Sequence, residues 1–468
     1  MSLSSSFVSQ KRKNDIPVIP ITEKNFSTWL KKAAPAVRNA ATQKAYKGSA
    51  GKILVIANAK GGVEKIIVGI STPVSIYDLA PLVAALRQNY SQDFIKGSSF
   101  SLQSALLKKE DVTNLSVGWA LAGYEFSAYK KSSGKIPALV WDKKADKKRV
   151  EAVAEGIFLV RDLVTTPSND MGPEEIEAAA RKLAGRHKAK ITVIKDKDLL
   201  TKNFPLVYAV GDGSPRRPRL IDFTWGNAKD PKVTIVGKGV AFDTGGLNLK
   251  PTAYMALMKK DMGGAAHALA LAHLVMSAKL KVRLRVLIPA VENSVDGYSF
   301  RPGDVFKSRK GLTIENTNTD AEGRLILADT LTYACEDKPE LLIDYATLTG
   351  SARAALGPDI PAMFSNNDSL AEKLKKLSFT AEDPLWPMPL WQPYQQRNNS
   401  PVADMQNSSG VPGDLMYSAL FLERFLVGKP DWIHIDAYSW EHTGKAGRPR
   451  GGADTGLRAV FALLEEKY

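Results

Sequence analysis

The sequence predicts an α/β protein with two domains: a small N-terminal α/β domain, and a larger C-terminal domain with a mixed, largely parallel sheet flanked by helices. Its 468 residues exceed what one hydrophobic core usually supports. Strand-like apolar runs alternate with helical patterns along the last two thirds. Positive charge is concentrated before residue 150, with 24 Lys and Arg against 10 Asp and Glu, compared with 40 and 39 afterwards. This change of composition favours a boundary there.

The first domain, residues 1–150, begins its regular pattern at residue 51. GKILVIAN and GGVEKIIVGI read as two strands around a Gly-Gly turn, followed by a helical pattern over 75–88 and a strand over 136–141. A connecting helix is predicted over 150–166, because apolar residues recur at helical spacing until a Thr-Pro pair ends them. The second domain then covers 151–468.

In the second domain, predicted helices alternate with predicted strands. The helices are 173–187, 262–279, 323–335, 416–427 and 456–467. The strands are 191–195, 206–210, 219–223, 233–237, 283–289, 341–346 and 432–437. Such alternation is typical of a largely parallel sheet covered by helices on both faces.

Composition indicates an ordinary globular protein in a reducing compartment. No apolar run is long enough to span a membrane, and the first residues contain no apolar export segment, so we expect a cytoplasmic protein with no membrane contact. The single cysteine, Cys335, lies in an apolar run and is predicted to be a buried hydrophobic residue.

The basic residues of the first domain occur in short clusters, such as KRK at 11–13 and KKADKKR at 143–149. Aromatic residues are not interleaved with them. This pattern favours a solvated face, and it leaves a nucleic-acid surface or another anionic partner as an alternative.

The most informative segment is 233–276. A buried-strand pattern is followed by a Gly-rich loop that carries Lys238, Asp243 and Lys250, and Asp261 stands at the head of the next helix. In open α/β sheets, functional groups collect beyond the carboxyl ends of strands, which is where this loop falls. The structural alternative for Asp261 is an N-cap. The small residues at 263–266 bring the backbone close to a packed neighbour or to a ligand.

A second charged group, NTDAEGRL, places Asp320, Glu322 and Arg324 at the start of a helix. Acidic residues at a helix N-terminus are common, so this segment alone does not indicate a site. Together with the first segment, however, it makes four carboxylates and three cations. Crowded carboxylates repel one another unless divalent cations bridge them, so the combination predicts a two-metal site. The oxygen-rich set suits Zn²⁺, Mn²⁺, Mg²⁺ or Co²⁺.

Other hydrolase and nucleotide-binding chemistries lack support. The chain has no HExxH zinc motif, no GxSxG nucleophile elbow and no GxxxxGK[ST] phosphate loop. His267, His273 and His434 lie in apolar patterns and are predicted to be packed, hydrogen-bonded imidazoles.

Three segments carry a family resemblance. VGKGVAFDTGGLNLK, MKKDMGGAA and NTDAEGRL are similar to the signature segments of the leucine aminopeptidase family, also called cytosol aminopeptidases, which are dinuclear metallopeptidases. The resemblance covers roughly residues 155–468, whereas the first 150 residues show only the general plan of the family's variable N-terminal domain.

The resemblance implies a division of the metal ligands. Lys238, Asp243, Asp261 and Glu322 would hold one ion, while Asp243, Asp320 and Glu322 would hold the other. Mn²⁺ or Zn²⁺ is expected first, with Mg²⁺ or Co²⁺ as alternatives. Between them the ions would activate a water molecule as the nucleophile.

The resemblance also implies catalytic and pocket residues. Lys250 would polarise the scissile carbonyl, and Arg324 would hold a bicarbonate that transfers the proton. Met258, Thr347 and Gly350 would line the pocket for the substrate's first side chain.

By resemblance, the substrates are peptides with a free N-terminus, from which leucine-like and other N-terminal residues are released, and the assembly is a homohexamer. One departure concerns the far wall of the pocket, where Ala437-Tyr438-Ser439-Trp440 replaces the family's commoner small residues. The hypothesis of a different class is a nucleic-acid-binding or regulatory protein on the same fold, with binding either alone or beside catalysis.

Overall fold

The structure, a computed structural model, describes residues 3–468, and the chain forms two compact units. The first unit comprises residues up to Phe158 together with Glu441–Arg450, and the second comprises Leu159–Trp440 with Gly451–Tyr468. The predicted α/β class with two parts is confirmed. The boundary predicted near residue 150 falls inside a continuous helix, and no pattern along the chain indicated that 441–450 belongs with the first unit.

The first unit is built mainly on one sheet. In chain order its elements are β1 (Phe7–Val8), β2 (Asn14–Thr22), α1 (Glu23–Lys31), α2 (Pro35–Gln43), β3 (Ile53–Ala57), β4 (Val63–Ile70), α3 (Ala80–Asn89), α4 (Gln92–Gly97), β5 (Ser98–Leu102), α5 (Lys109–Gly123), β6 (Ala138–Val140) and α6 (Lys147–Thr165). A short 3₁₀ helix, Leu3–Ser5, precedes β1.

The strands of this sheet run in the order β1-β6-β5-β2-β4-β3, and only the pairing of β3 with β4 is antiparallel within the described residues. The predicted strands at β3, β4 and β6, the helix at α3 and the connecting helix α6 are confirmed. Strand β2 was not predicted. It contains Pro17 and Pro20, and proline is uncommon in strands inside a sheet.

The second unit contains the remaining elements. They are α7 (Pro173–His187), β7 (Lys190–Lys195), α8 (Asp198–Thr201), α9 (Pro205–Gly211), β8 (Arg219–Trp225), β9 (Lys232–Gly237), β10 (Gly239–Asp243), α10 (Thr252–Met255), α11 (Gly263–Ala278), β11 (Arg283–Asn293), β12 (Val305–Lys307), β13 (Thr313–Glu315), α12 (Glu322–Glu336), β14 (Leu341–Ala346), α13 (Gly350–Leu356), β15 (Ala362–Ser365), α14 (Asp368–Thr380), β16 (Trp386–Pro387), β17 (Met405–Gln406), α15 (Asp414–Glu423), β18 (Asp431–Asp436), β19 (Trp440–Glu441), β20 (Gly451–Gly452) and α16 (Leu457–Lys467), with Glu441 itself belonging to the first unit. Two 3₁₀ helices cover Met258–Met262 and Gln392–Asn398.

Nine strands of the described chain form the main sheet in the order β16-β15-β18-β14-β9-β11-β8-β7, with β10 beside β11. The centre of the sheet is parallel, since β18, β14, β9 and β11 run in one direction, while β7, β8 and β15 introduce antiparallel pairs. Helices α11 and α12 pack on this centre, and their buried faces are largely apolar. The predicted mixed, largely parallel sheet is confirmed.

One predicted strand is wrong: residues 206–210 lie in helix α9. Pro205 opens this helix at a position where its fixed φ angle suits the first turn. The Leu206 backbone N–H donates to the carboxylate of Asp329, which satisfies one of the free donors at the helix start. A five-residue apolar run does not distinguish a strand from a short buried helix, and the deciding partner lies 123 residues away.

Two further predictions concern burial and membrane contact. Cys335 is buried, as predicted, with only 3% of its surface exposed. Among the described residues, no helix has the length and apolar character needed to cross a membrane.

Candidate metal centre

The predicted charged residues meet at one edge of the main sheet. Lys238 directly follows β9, and Asp243 is the last residue of β10. Asp261 lies in the 3₁₀ helix that precedes α11, and Glu322 is the first residue of α12. Because β9 and β10 are both parallel to β11, their carboxyl ends lie at the same edge, where ligands of such sheets bind. All four side chains are buried, with at most 3% of each residue exposed.

The first group of contacts surrounds Lys238. Its Nζ lies 2.8 Å from Asp261 Oδ2 and 2.8 Å from Glu322 Oε1, and it donates to the backbone oxygen of Thr347 at 3.0 Å. The lysine therefore joins ligand candidates from two separate sequence motifs.

The second group surrounds Lys250. Its Nζ lies 2.7 Å from Asp243 Oδ2 and also contacts Asp320 Oδ1. Asn293, at the end of β11, donates from its side-chain amide to Asp243 Oδ1 at 2.8 Å. Asp243 is thereby held from both sides, which fixes the orientation of its carboxylate.

Three carboxylates are close enough to hold one ion together. Asp243, Asp320 and Glu322 each offer an oxygen, and these oxygens all lie within 4.8 Å of one another. Such a cluster of oxygen donors is the type of site that Mg²⁺ and Mn²⁺ prefer, and Zn²⁺ accepts carboxylate oxygens as well.

The residues fit a divalent metal by a second criterion. Asp261 Oδ2, Asp320 Oδ1 and Glu322 Oε1 are buried, and each contacts the ammonium group of Lys238 or Lys250. Four carboxylates thus share two lysines. Buried carboxylates that outnumber their cations are costly, and coordination of a divalent cation would offset that cost.

The electrostatics of the cluster agree with this fit. Burial, followed by repulsion from Asp243, raises the pKa of Glu322 to about 7. Burial and the charge of Asp261 raise the pKa of Asp243 to about 6. Burial opposes the charges of Lys238 and Lys250, but the surrounding carboxylates still raise the pKa of both ammonium groups. The protein therefore confines several negative charges in a small volume, and divalent cations would remove that repulsion.

Helix capping does not explain these carboxylates. The residues at the N-cap positions of α11 and α12 are Met262 and Ala321, and neither makes a side-chain capping bond. Asp261 Oδ1 instead accepts a hydrogen bond from Thr347 Oγ1 at 2.7 Å. The structural alternative considered for Asp261 is therefore wrong.

The small residues at the start of α11 serve close packing. A Cβ atom at Gly264 would stand 2.2 Å from the backbone oxygen of Tyr345 and 2.8 Å from the backbone nitrogen of Lys238. Only glycine lets the helix approach the strand ends this closely. The approach brings Asp261 beside Lys238.

Arg324 lines the same cavity from helix α12. Its Nη1 donates to the backbone oxygen of Asn407 at 2.5 Å, and its Nη2 donates to Asp414 Oδ1 at 3.0 Å. Its Nε has no hydrogen-bond acceptor among the described residues. The guanidinium is thus fixed in place while one N–H group remains available to an anion.

The cavity has a volume of about 630 Å³ and includes the three predicted pocket residues, Met258, Thr347 and Gly350. Lys260 and Tyr438 also line it. Tyr438 belongs to the segment in which the sequence departs from the family pattern.

Several residues that position the site were missed by sequence reasoning. Asn293 lies beyond the end of the predicted strand 283–289, and Asn407 and Asp414 lie in and after an irregular segment. The side chain of Asn407 also accepts a hydrogen bond from the backbone of Thr317. Their distances from their partners, 50 to 90 residues along the chain, leave no local spacing that could reveal them.

The histidines occupy structural positions, as predicted. His267 contacts the Gly263 backbone oxygen through Nδ1 and accepts from the Thr455 backbone N–H through Nε2. His434 pairs with the buried Asp344 at 2.5 Å, and His273 lies 3.2 Å from His187.

Comparison with known proteins places this geometry in a family. The model described as "Cytosol aminopeptidase family, catalytic domain" matches residues 158–461, and the model described as "M17 aminopeptidase, N-terminal domain" matches residues 16–141. This chain belongs to the cytosol aminopeptidase family. The resemblance inferred from the three motifs is confirmed, and so is the fold class.

Individual relatives support the assignment of this chain to the cytosol aminopeptidase family. A protein of Syntrophotalea carbinolica named "Probable cytosol aminopeptidase" is 44% identical over 323 residues; the match covers 68% of this chain and 65% of that protein. The crystal structure of the cytosol aminopeptidase from Coxiella burnetii superposes with a TM-score of 0.90 at 41% identity, covering 99% of each chain. The bottromycin maturation enzyme BotP, solved in complex with Mn, gives 0.84 at 29% identity, covering 97% of this chain and 99% of that one.

Proposed function

We propose that this chain is a metal-dependent aminopeptidase that releases the N-terminal amino acid of peptides, leucine and similar residues among them. The observation that carries the proposal is the group formed by Asp243, Asp320 and Glu322, whose oxygens lie within 4.8 Å of one another beside Lys238 and Lys250. Membership in the cytosol aminopeptidase family supports the same activity.

In the proposed site, five residues would hold two divalent ions. Lys238, Asp243, Asp261 and Glu322 would hold one ion, and Asp243, Asp320 and Glu322 would hold the other. Lys238 must lose its proton to serve as a ligand, and the positive charge of nearby cations favours that loss. The two ions would supply Lewis-acid chemistry there, lowering the pKa of a water molecule so that it can act as the nucleophile.

The chain's own residues then orient the substrate and move the proton. Lys250, held among the carboxylates, stays protonated and stabilises negative charge on the carbonyl oxygen. Arg324, fixed by Asp414 and the Asn407 backbone, would hold a bicarbonate that serves as the proton-transferring base. The Nε of Arg324 has no acceptor among the described residues, so it is available to donate to such an anion. An anion is needed because a guanidinium cannot itself act as a base.

We propose Mn²⁺ or Zn²⁺ as the metal, with Mg²⁺ or Co²⁺ as alternatives. BotP, a structural relative, was solved with Mn. The set of four carboxylates and one amine contains no thiolate or imidazole, so the donors alone do not select one of these ions. A cytosolic location and a homohexamer are further proposals that rest on the family.

The proposal is tested with protein stripped of metal by a chelator and then supplied with Mn²⁺ or Zn²⁺. We expect hydrolysis of leucine amide and of leucyl peptides only after metal is restored, and no hydrolysis of a peptide whose N-terminus is acetylated. A protein that binds two ions per chain but cleaves none of these substrates contradicts the proposal.

We propose no second function for the basic first unit. Several of its cations have structural partners: Lys144 Nζ donates to the backbone oxygens of Ser104, Ala105 and Leu107, and Arg12 donates to those of Lys96 and Ser98. The nucleic-acid alternative stays a prediction, testable as DNA binding that weakens steeply with salt.

A further inference from the structure

A buried lysine that the metal centre does not use faces the cavity. Lys260 lies in the 3₁₀ helix Met258–Met262, is 6% exposed and lines the cavity. Its neighbours in the site, Lys238 and Lys250, each contact two carboxylates. The side chain of Lys260, in contrast, forms no ion pair or hydrogen bond with any residue between 3 and 468; its one close contact is the ring of Tyr438, whose centroid lies 4.9 Å from Nζ.

A second cation contacts the same tyrosine. Arg353, on helix α13, donates from Nη1 to the Tyr438 hydroxyl at 3.1 Å, and its Cζ lies 5.0 Å from the ring centroid. Arg353 also lines the cavity and has no carboxylate partner in the described part of the chain. Two positive groups thus converge on one aromatic side chain in the cavity wall.

Asp261 and Asp436, the two acidic groups whose charges act on Lys260, have other direct partners. Both oxygens of Asp436 accept hydrogen bonds from Thr349, and Oδ1 also accepts one from the Leu348 backbone N–H. Asp261 contacts Lys238 and Thr347. A buried ammonium that forms no direct ion pair is unfavourable, and the charges of Asp261 and Asp436 and the tyrosine ring offset only part of that cost.

The cations lie in the part of the cavity that also contains the predicted side-chain pocket. Thr347, a predicted pocket residue, bonds to Asp261, the residue next to Lys260. Gly350, another, begins the helix that carries Arg353. Lys260, Arg353 and Tyr438 thus line the same cavity as the three predicted pocket residues.

We infer that this pocket selects peptides whose first residue carries a carboxylate, with Lys260 as the principal counterion and Arg353 as the second, both held against Tyr438. The inference rests on the proposed aminopeptidase function and names a substrate class for it. Leucine-like side chains remain substrates, since Met258 and Leu257 supply apolar contacts in the same cavity. An acidic side chain would add a charge-assisted hydrogen bond that a neutral one of the same shape lacks.

The experiment compares two isosteric substrates, glutamic acid α-amide and glutamine α-amide, with the metal-loaded protein. Neither has a free C-terminal carboxylate, so any preference reports on the side chain. We expect kcat/KM for the acidic amide to exceed that for the neutral one by about tenfold, the scale of a hydrogen bond to a charged group. Leucylglycine and leucylglycine amide test the other source of a carboxylate, the C-terminus of a dipeptide.

Variants of Lys260 and Arg353 test whether these two residues cause the preference for the acidic amide. In Lys260→Met the glutamate-to-glutamine ratio should fall about tenfold, mainly through KM, and Lys260→Arg should restore part of it. Lys259→Met is the matched control, because Lys259 donates to the Thr165 backbone oxygen and lies over Trp440. If Lys260→Met does not fold, the half-buried Arg353→Gln variant serves instead, and its ratio should fall as well.

The outcomes separate the two proposals. If no amide is hydrolysed with metal present, the proposed function fails. If leucine and glutamine amides are hydrolysed but glutamic acid amide is no better than glutamine amide, only the inference on acidic substrates is overturned. A carboxylate preference confined to leucylglycine, or a ratio unchanged in both Lys260→Met and Arg353→Gln, overturns it too.

Discussion

Gly323 faces the side chain of Lys238 so closely that a Cβ atom on Gly323 would lie 2.6 Å from Nζ and 2.7 Å from Cε. Gly323 is the second residue of α12, directly after Glu322. The missing side chain therefore makes the space in which Lys238 reaches Glu322 and Asp261. This contact joins the two motifs that the sequence separates by about 80 residues.

This contact predicts that Gly323→Ala displaces Lys238 and lowers both metal binding and activity, while helix α12 still forms. We expect activity to fall on the order of 100-fold, because small displacements of catalytic groups have effects of this size. Metal content should fall as well. Gly185→Ala, at an exposed helical glycine with nothing within 4 Å, is the control and should retain full activity. Normal activity in Gly323→Ala contradicts this interpretation.

Removal of Glu322 should abolish turnover. In the proposed site its carboxylate contacts both ions, so Glu322→Ala should lose at least one ion per chain, measured by elemental analysis after dialysis. Glu372→Ala, at an exposed position on α14, should keep its metal and activity. An active Glu322→Ala protein with two ions per chain would rule out the ligand role.

Substitution of Lys250 should lower turnover without releasing the metal ions. Lys250→Met removes the cation that stabilises the developing negative charge, so we expect kcat to fall by about 10²–10³ while both ions remain bound. The measurements are steady-state kinetics and elemental analysis on the same preparation. An unchanged kcat would exclude Lys250 from stabilising the oxyanion.

Asp414 is expected to act through Arg324. Its Oδ1 accepts from Arg324 Nη2 at 3.0 Å and from Ser418 Oγ at 2.9 Å. Asp414→Asn should loosen the guanidinium and lower kcat about tenfold, the scale of one hydrogen bond to a charged group. The bicarbonate concentration for half-maximal activity should rise, a change that a general loss of stability does not produce. If the bicarbonate dependence stays as in the wild type, Asp414 does not position Arg324.

The buried carboxyl group of Asp329 is expected to make the stability of the protein depend on pH. Burial raises its pKa to about 7, although the backbone N–H groups of Arg309 and Leu206 oppose the shift. A carboxyl group whose pKa is higher in the folded state stabilises that state below the unfolded pKa of 3.8. The free energy of unfolding should therefore decrease as pH rises from about 4 to about 7, by a few kcal/mol at most.

The test compares urea unfolding at pH 5.5 and 7.5 in the wild type and in Asp329→Asn. The amide does not titrate, so the difference between the two pH values should shrink in the variant. Asp198→Asn, at an exposed position, should leave the difference as it is in the wild type. A variant with the wild-type pH difference would show that Asp329 is not the responsible group.

The sequence by itself determined the α/β class, most strands and helices of the second unit, and the charged residues that meet in the site. It could do so because buried strands and helices have characteristic periods, and because crowded carboxylates repel one another unless cations lie among them. It also showed that His267 and His434 are packed residues and that Cys335 is buried.

Only the tertiary structure decided which partners each group has. Residues 206–210 form a helix because Asp329, far along the chain, accepts the Leu206 N–H. Arg324 is fixed by Asp414, and the side chain of Lys260 contacts the ring of Tyr438 instead of a carboxylate. These outcomes depend on distances between segments that local spacing does not encode. Charge in a sequence identifies candidates, but burial and hydrogen bonding in the fold determine which charges are left for a ligand.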